Sequence, residues 1–108
     1  MWLAVVATLA LLPRLSLVVS PRLFMEGHAV RLECRIARHP DNRWMELGVV
    51  DVTSSFRELE GTQSQVVYSL LLEHLGCGEW EAYCQLGTTR GQQRVREAVT
   101  VVGCVGGG

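Results

Sequence analysis

The 108-residue sequence predicts an all-β fold, an antiparallel sandwich of about seven strands. Three observations carry that expectation. No segment sustains a helical apolar period. Short stretches alternate apolar and polar residues instead, as half-buried strands do. Turn residues separate these stretches at roughly ten-residue spacing, the rhythm of a sandwich or barrel. The length suits one domain, and 48% hydrophobic residues can furnish its core.

The elements follow in order. Residues 1–14 open with an apolar run of about a dozen residues, closed by Pro13 and Arg14. A spanning helix needs about 20 apolar residues, and a secretory segment about 7–15. The run therefore predicts a signal peptide and no stable membrane span. It lacks a basic n-region and a clean A-x-A site, so an apolar first strand is the alternative. "LSLVVS" (15–20) is a strand stopped by Pro21, which suits an edge. "AVRLECRIA" (29–37) is the clearest strand: Val30, Leu32, Cys34 and Ile36 point inward, and Arg31, Glu33 and Arg35 outward. "HPDN" (39–42) is a turn, because Pro40 presets φ and Asp41 and Asn42 tolerate turn geometry. "RWMELGVV" (43–50) is a strand, and "DVTSSFREL" a more polar one suited to an edge. "QVVYSLLLE" (65–73) turns Val66, Tyr68, Leu70 and Leu72 inward. "EWEAYCQL" (79–86) turns Trp80, Ala82, Cys84 and Leu86 inward, against Glu79, Glu81, Tyr83 and Gln85 outward. "GTTRG" (87–91) is a hairpin loop. "QQRVREAVTVV" (92–102) is the last strand, and residues 103–108 form a glycine-rich tail.

Residues 15–102 resemble the immunoglobulin-like fold. "SPRLFMEGHAVRLEC" is similar to the entry into that fold's first strands, and Trp44, ten residues after Cys34, to its core tryptophan. Cys84 stands on the penultimate strand, where the second core cysteine belongs. The antibody-type tyrosine two before that cysteine is here Ala82. Leu75-x-x-Gly78-x-Trp80-x-Ala82 instead resembles the corner of looser microbial and phage sandwich domains, with tryptophan in the tyrosine's place. The resemblance implies a core of Trp44, Trp80, Leu32 and Leu70, and a bridge between Cys34 and Cys84. Two reduced, buried thiols are the alternative.

Cys77 and Cys104 are related through the final hairpin. Folding it about Thr89 sets residue 77 opposite residue 101, three short of Cys104. A second bridge from tail to turn is open, as are free thiols and an intermolecular bridge. Four cysteines in a short exported chain point to an oxidising, extracytoplasmic compartment.

Function is bounded mostly by exclusion. A net charge of −1 gives no electrostatic case for nucleic acid. The ten basic residues are all arginine, so lysine Schiff-base chemistry is out. His28, His74 and Cys77 fall in turns at one end but lack tight metal-ligand spacing, and no cofactor is expected. Cys77 and His74 could be imagined as nucleophile and base, but no motif supplies an orienting group or an oxyanion hole. The expectation is a non-catalytic, secreted module that binds an unknown protein or glycan. Candidate contacts are His39, Asp41, Asn42 and Arg90, on two loops that should share one end. The outward Arg31, Glu33, Arg35, Glu79, Glu81 and Tyr83 make a second candidate surface, whose mixed charge suits ordinary solvated sheet. A structural or appendage domain, self-associating through edge strands, is the alternative.

Overall fold

The computed structural model describes residues 15–21, 23–25 and 27–104. The expected signal segment and the glycines after Cys104 lie outside them. The fold is an all-β sandwich of two sheets. Among the described residues eight strands form: β1 (Leu15–Ser20), β2 (Leu23–Met25), β3 (Val30–Ile36), β4 (Asn42–Val49), β5 (Thr53–Glu58), β6 (Val67–Leu72), β7 (Gly78–Thr88) and β8 (Gly91–Val102). One sheet has the order β1-β3-β6 and the other β2-β8-β7-β4-β5.

The strand beyond the expected seven is β2, only three residues long. Pro21, which has no N–H to give a ladder, follows the end of β1. The chain then changes sheets, and Leu23–Met25 pairs parallel to Thr100–Val102 of β8. A three-residue pairing is too short to show a period.

The core is the sum of the inward alternations. Leu15, Leu17 and Val19 of β1 lie opposite Ile36, Cys34 and Leu32 of β3. Met45, Leu47 and Val49 of β4 lie opposite Leu86, Cys84 and Ala82 of β7. All twelve are buried. Leu59, Leu72, Leu75, Val99 and Val101 close the ends. Leu32 is fully buried, as expected, while Leu70 and Trp80 are half-buried and pack against the core.

Cys34 and Cys84 are both 0% exposed and form a disulfide, with Cα atoms 6.2 Å apart. The bridge ties β3 of one sheet to β7 of the other. It closes a 50-residue separation, which contributes about 4 kcal/mol on the chain-entropy argument. At the far end, Cys77 bridges Cys104. The hairpin brings them near, with a register one residue off the expected one: Gly78, not Cys77, faces Val101. The turn is two residues, Thr89–Arg90, between paired Thr88 and Gly91, so its centre is not Thr89.

Trp44 departs from expectation. It is no core tryptophan. The inward residues of β4 are Met45, Leu47 and Val49, so period two turns Trp44 to the outer face of its sheet. A bulge between Asn42 and Trp44 shifts the register there. The indole lies across Gly87, where any Cβ would collide with the ring.

Candidate functional site

Two surfaces bring chemistry-bearing side chains together: one end of the sandwich, and the outer face of the five-stranded sheet. The end is built by the β3–β4 and β7–β8 turns, which meet as expected. Thr89 N donates to Asp41 O at 3.0 Å, tying one turn to the other. Arg90 Nε lies 3.3 Å from Asp41 Oδ2. Arg90 remains 85% exposed, so in water this pair contributes little.

His39 completes the cluster: Asp41 N donates to His39 Nδ1 at 3.1 Å, and the same nitrogen lies 3.6 Å from Asp41 Oδ2. Asn42 corrects the expected set. It is 2% exposed and its Nδ2 donates to Ala37 O at 3.0 Å, so it pins the turn from inside. His39, Asp41 and Arg90 are what this end offers a ligand: an imidazole, a carboxylate and a guanidinium.

The outer face of the five-stranded sheet is where sequence reasoning missed most. Arg31, Glu33 and Arg35 do not share a surface with Glu79, Glu81 and Tyr83: the former lie on β3, the latter on β7, in different sheets. Their outward sides face opposite directions. Tyr83 points outward, yet it is buried. Its hydroxyl donates to Glu46 Oε2 at 2.5 Å, and the Arg94 guanidinium sits 4.2 Å over its ring. Arg94 Nη1 also donates to Gln85 Oε1 at 3.1 Å, and Gln85 Nε2 donates to Gln92 Oε1 at 2.6 Å. Burial raises the Tyr83 pKa first, helped by the hydrogen bond to Glu46 and its charge, while Ser54 and Arg94 pull the other way.

Beside this network stands an aromatic pair. Trp44 and Phe56 stack with ring centroids 5.7 Å apart and planes 23° from parallel. Phe56 is 58% exposed. The signal for it was present: Phe56 is the lone large apolar residue in the polar edge strand. An adjoining open groove of about 410 Å³ is lined by Val49 to Ser54, Tyr83 and Arg94. Arginine, glutamine and aromatic side chains thus share the outer face of this sheet.

The opposite end carries the second disulfide. Val30 pairs with Leu72, so the turns bearing His28 and His74 share an end as expected. The Cys77 sulfur is committed to Cys104. Trp80 Nε1 donates to Gly76 O at 2.8 Å, which fastens the β6–β7 turn to the start of β7. Among the described residues no group of three or more His, Cys, Asp or Glu side chains is arranged to hold a metal ion. Among them, too, no helix is long and apolar enough to cross a membrane.

No protein-family model and no curated protein matches the chain. Solved structures do. The chain is similar to a superoxide reductase (neelaredoxin) from Ignicoccus hospitalis, at 13% identity and a TM-score of 0.65, over 83% of this chain and 81% of that one. It is also similar to part of an engineered protein, at 14% identity and a TM-score of 0.50, over 81% of this chain and 20% of that one. At such identities the likeness concerns the fold. It nonetheless corrects the expectation that this chain is not an enzyme: an enzyme has the same architecture over most of both lengths. The sandwich fold, and the lack of a catalytic motif, give no ground for that exclusion.

Proposed function

We propose that this chain is an exported, immunoglobulin-like recognition domain that binds a protein through the outer face of its five-stranded sheet. The observation that carries the reading is the Trp44–Phe56 stack, with Phe56 58% exposed. A large aromatic held open to water in a fixed position is the kind of anchor that dominates protein interfaces. Its surroundings fit, since arginine and aromatic residues are enriched at interfaces and lysine is depleted. Arg94, Tyr83 and Gln85 are already held by one another, so docking would order few side chains.

Two further readings rest on other observations. Export is supported by the two disulfides, which form and persist in oxidising compartments. The immunoglobulin-like relationship is supported by the strand order: three strands face a sheet built on β8-β7-β4, with β5 added beside β4. It is supported too by the bond from Trp80 back to Gly76, which takes the part of that fold's tyrosine corner.

Wild-type protein, Phe56→Arg and Arg90→Ala, each probed against purified extracellular proteins and a glycan array, test the reading. The expected result is a protein partner lost with Phe56→Arg and retained with Arg90→Ala. A partner lost with Arg90→Ala alone would move the site to the loop end. Binding to glycans alone would overturn the choice of a protein.

A further inference from the structure

The two sheets are unequal, and the difference leaves an opening. β1 packs over β8 and β7, β3 over β7 and β4, and β6 over β4. β5 therefore overhangs β6 with no strand of the described residues beneath it. Ser55 and Arg57 lie opposite the inward residues Leu47 and Met45, so they face this gap. A cavity of about 180 Å³ fills it, lined by Met45, Leu47, Ser55, Arg57, Gln65, Tyr68 and Ser69.

The edge of β6 that borders the gap has a readable hydrogen-bond phase. Ile36 N donates to Val66 O at 2.8 Å, which continues the β3–β6 ladder by one step. In an antiparallel pair, bonded and non-bonded residues alternate. Val66, Tyr68, Leu70 and Leu72 thus spend their backbone groups on β3. Those of Val67, Ser69 and Leu71 point to the open side. Gln65 Nε2 reaches Val67 O at 2.7 Å from that side and caps it. No charge, proline or bulge interrupts residues 66–72, so the usual protections of an edge are missing. Leu71 is 53% and Val66 36% exposed.

We propose that this edge is a docking slot, one strand wide, for an extended segment of another protein with small apolar side chains at alternate positions and a carboxylate for Arg57. The backbone groups of Ser69 and Leu71 hydrogen-bond the segment as an added strand. Its inward side chains enter the cavity beside Tyr68 under β5. Arg57 is the charge lining the gap, and it has no ion-pair partner among the described residues, which sets the sign of the complement. Width decides the class of occupant. Two copies joined β6 to β6 would place β4 of one where β5 of the other already hangs. The slot thus admits a strand and excludes a second domain. Residues 1–14 of this chain carry no acidic residue and lack the complement.

The test uses the full chain and two end-blocked peptides of about six residues, the usual strand length. Both alternate valine and threonine; one carries a glutamate, the other a lysine at the same place. Amide hydrogen exchange and titration calorimetry read the outcome. The glutamate peptide should bind and slow exchange at Ser69 and Leu71, with the lysine peptide at least about tenfold weaker. Arg57→Glu should reverse that preference. Ser69→Pro, which removes an outward N–H that β3 does not use, should abolish both. Phe56→Arg, on the other face of β5, should leave binding unchanged. Peptide binding indifferent to Arg57→Glu, or no added protection at Ser69 and Leu71, would overturn the proposal. So would amides already slow without peptide, which would give the edge to residues 1–14. Protection that rises with protein concentration alone would give the edge to a second copy and overturn the proposal equally.

Discussion

The outer faces of the two sheets obey the same sequence rule and differ in chemistry. On β3, Arg31 and Arg35 stand in water, and Arg35 makes an exposed ion pair with Glu33 at 3.3 Å. On β7, Tyr83 occupies an equally outward position, yet it is buried under Arg94 and bonded to Glu46. The lesson is that alternation tells which side chains leave the core. It does not tell what they meet outside. That depends on which strands lie alongside, and the wider sheet places β4, β5 and β8 where their long side chains can cover β7.

The comparison can be tested from its strongest element to its weakest. Both faces exist because the sheets are tied back to back, and the Cys34–Cys84 bridge is that tie. Replacing both cysteines with alanine should cost about 4 kcal/mol, read as a lowered urea midpoint. Replacing Cys77 and Cys104 should cost less, because their bridge closes 27 residues and pins a chain end rather than two sheets. Equal losses would deny the core bridge its special place.

The next test separates the faces themselves. Tyr83→Phe leaves Glu46 without its donor and should cost about 1–2 kcal/mol. Glu33→Gln on the other face should stay within about 0.5 kcal/mol. The two variants also differ in pH dependence. The Tyr83 pKa is raised above its unfolded value of 10.0. Below pH 10 both states hold the proton and stability is flat. Above it the folded state binds more protons, so stability falls as pH rises. Tyr83→Phe should flatten part of that alkaline fall, with Tyr68, also raised by burial, supplying the rest. Glu33→Gln should leave it intact. The smallest effect belongs to the loop end, where Arg90→Ala should shift the unfolding free energy by no more than about 0.5 kcal/mol, since its pair with Asp41 is solvated.

The fold was legible because burial repeats with the backbone. Period two in "VRLECRI" and "EWEAYCQL" marked the inward residues, and their burial follows it. The immunoglobulin-like resemblance, added to that alternation, brought Cys34 and Cys84 together and set His39 and Asp41 beside Arg90. It failed at Trp44, where likeness to a family pattern was followed over the phase of β4 itself: Met45, Leu47 and Val49 had already claimed the inside. It failed at Asn42, where a turn residue proved to be an internal clamp. It slipped by one residue in the last hairpin, because the length of a turn sets register and two glycines obscured where the turn began.

The sequence by itself determined the class of fold and the inward faces, since these depend on local alternation, and with the family resemblance it offered the two cysteine pairings as candidates. Only the tertiary structure decided the width of each sheet, the partners of the outward side chains and the unfilled place beneath β5. Those depend on which strands become neighbours across long separations. Strand order is settled by the packing of the whole core, and no local stretch of sequence carries it.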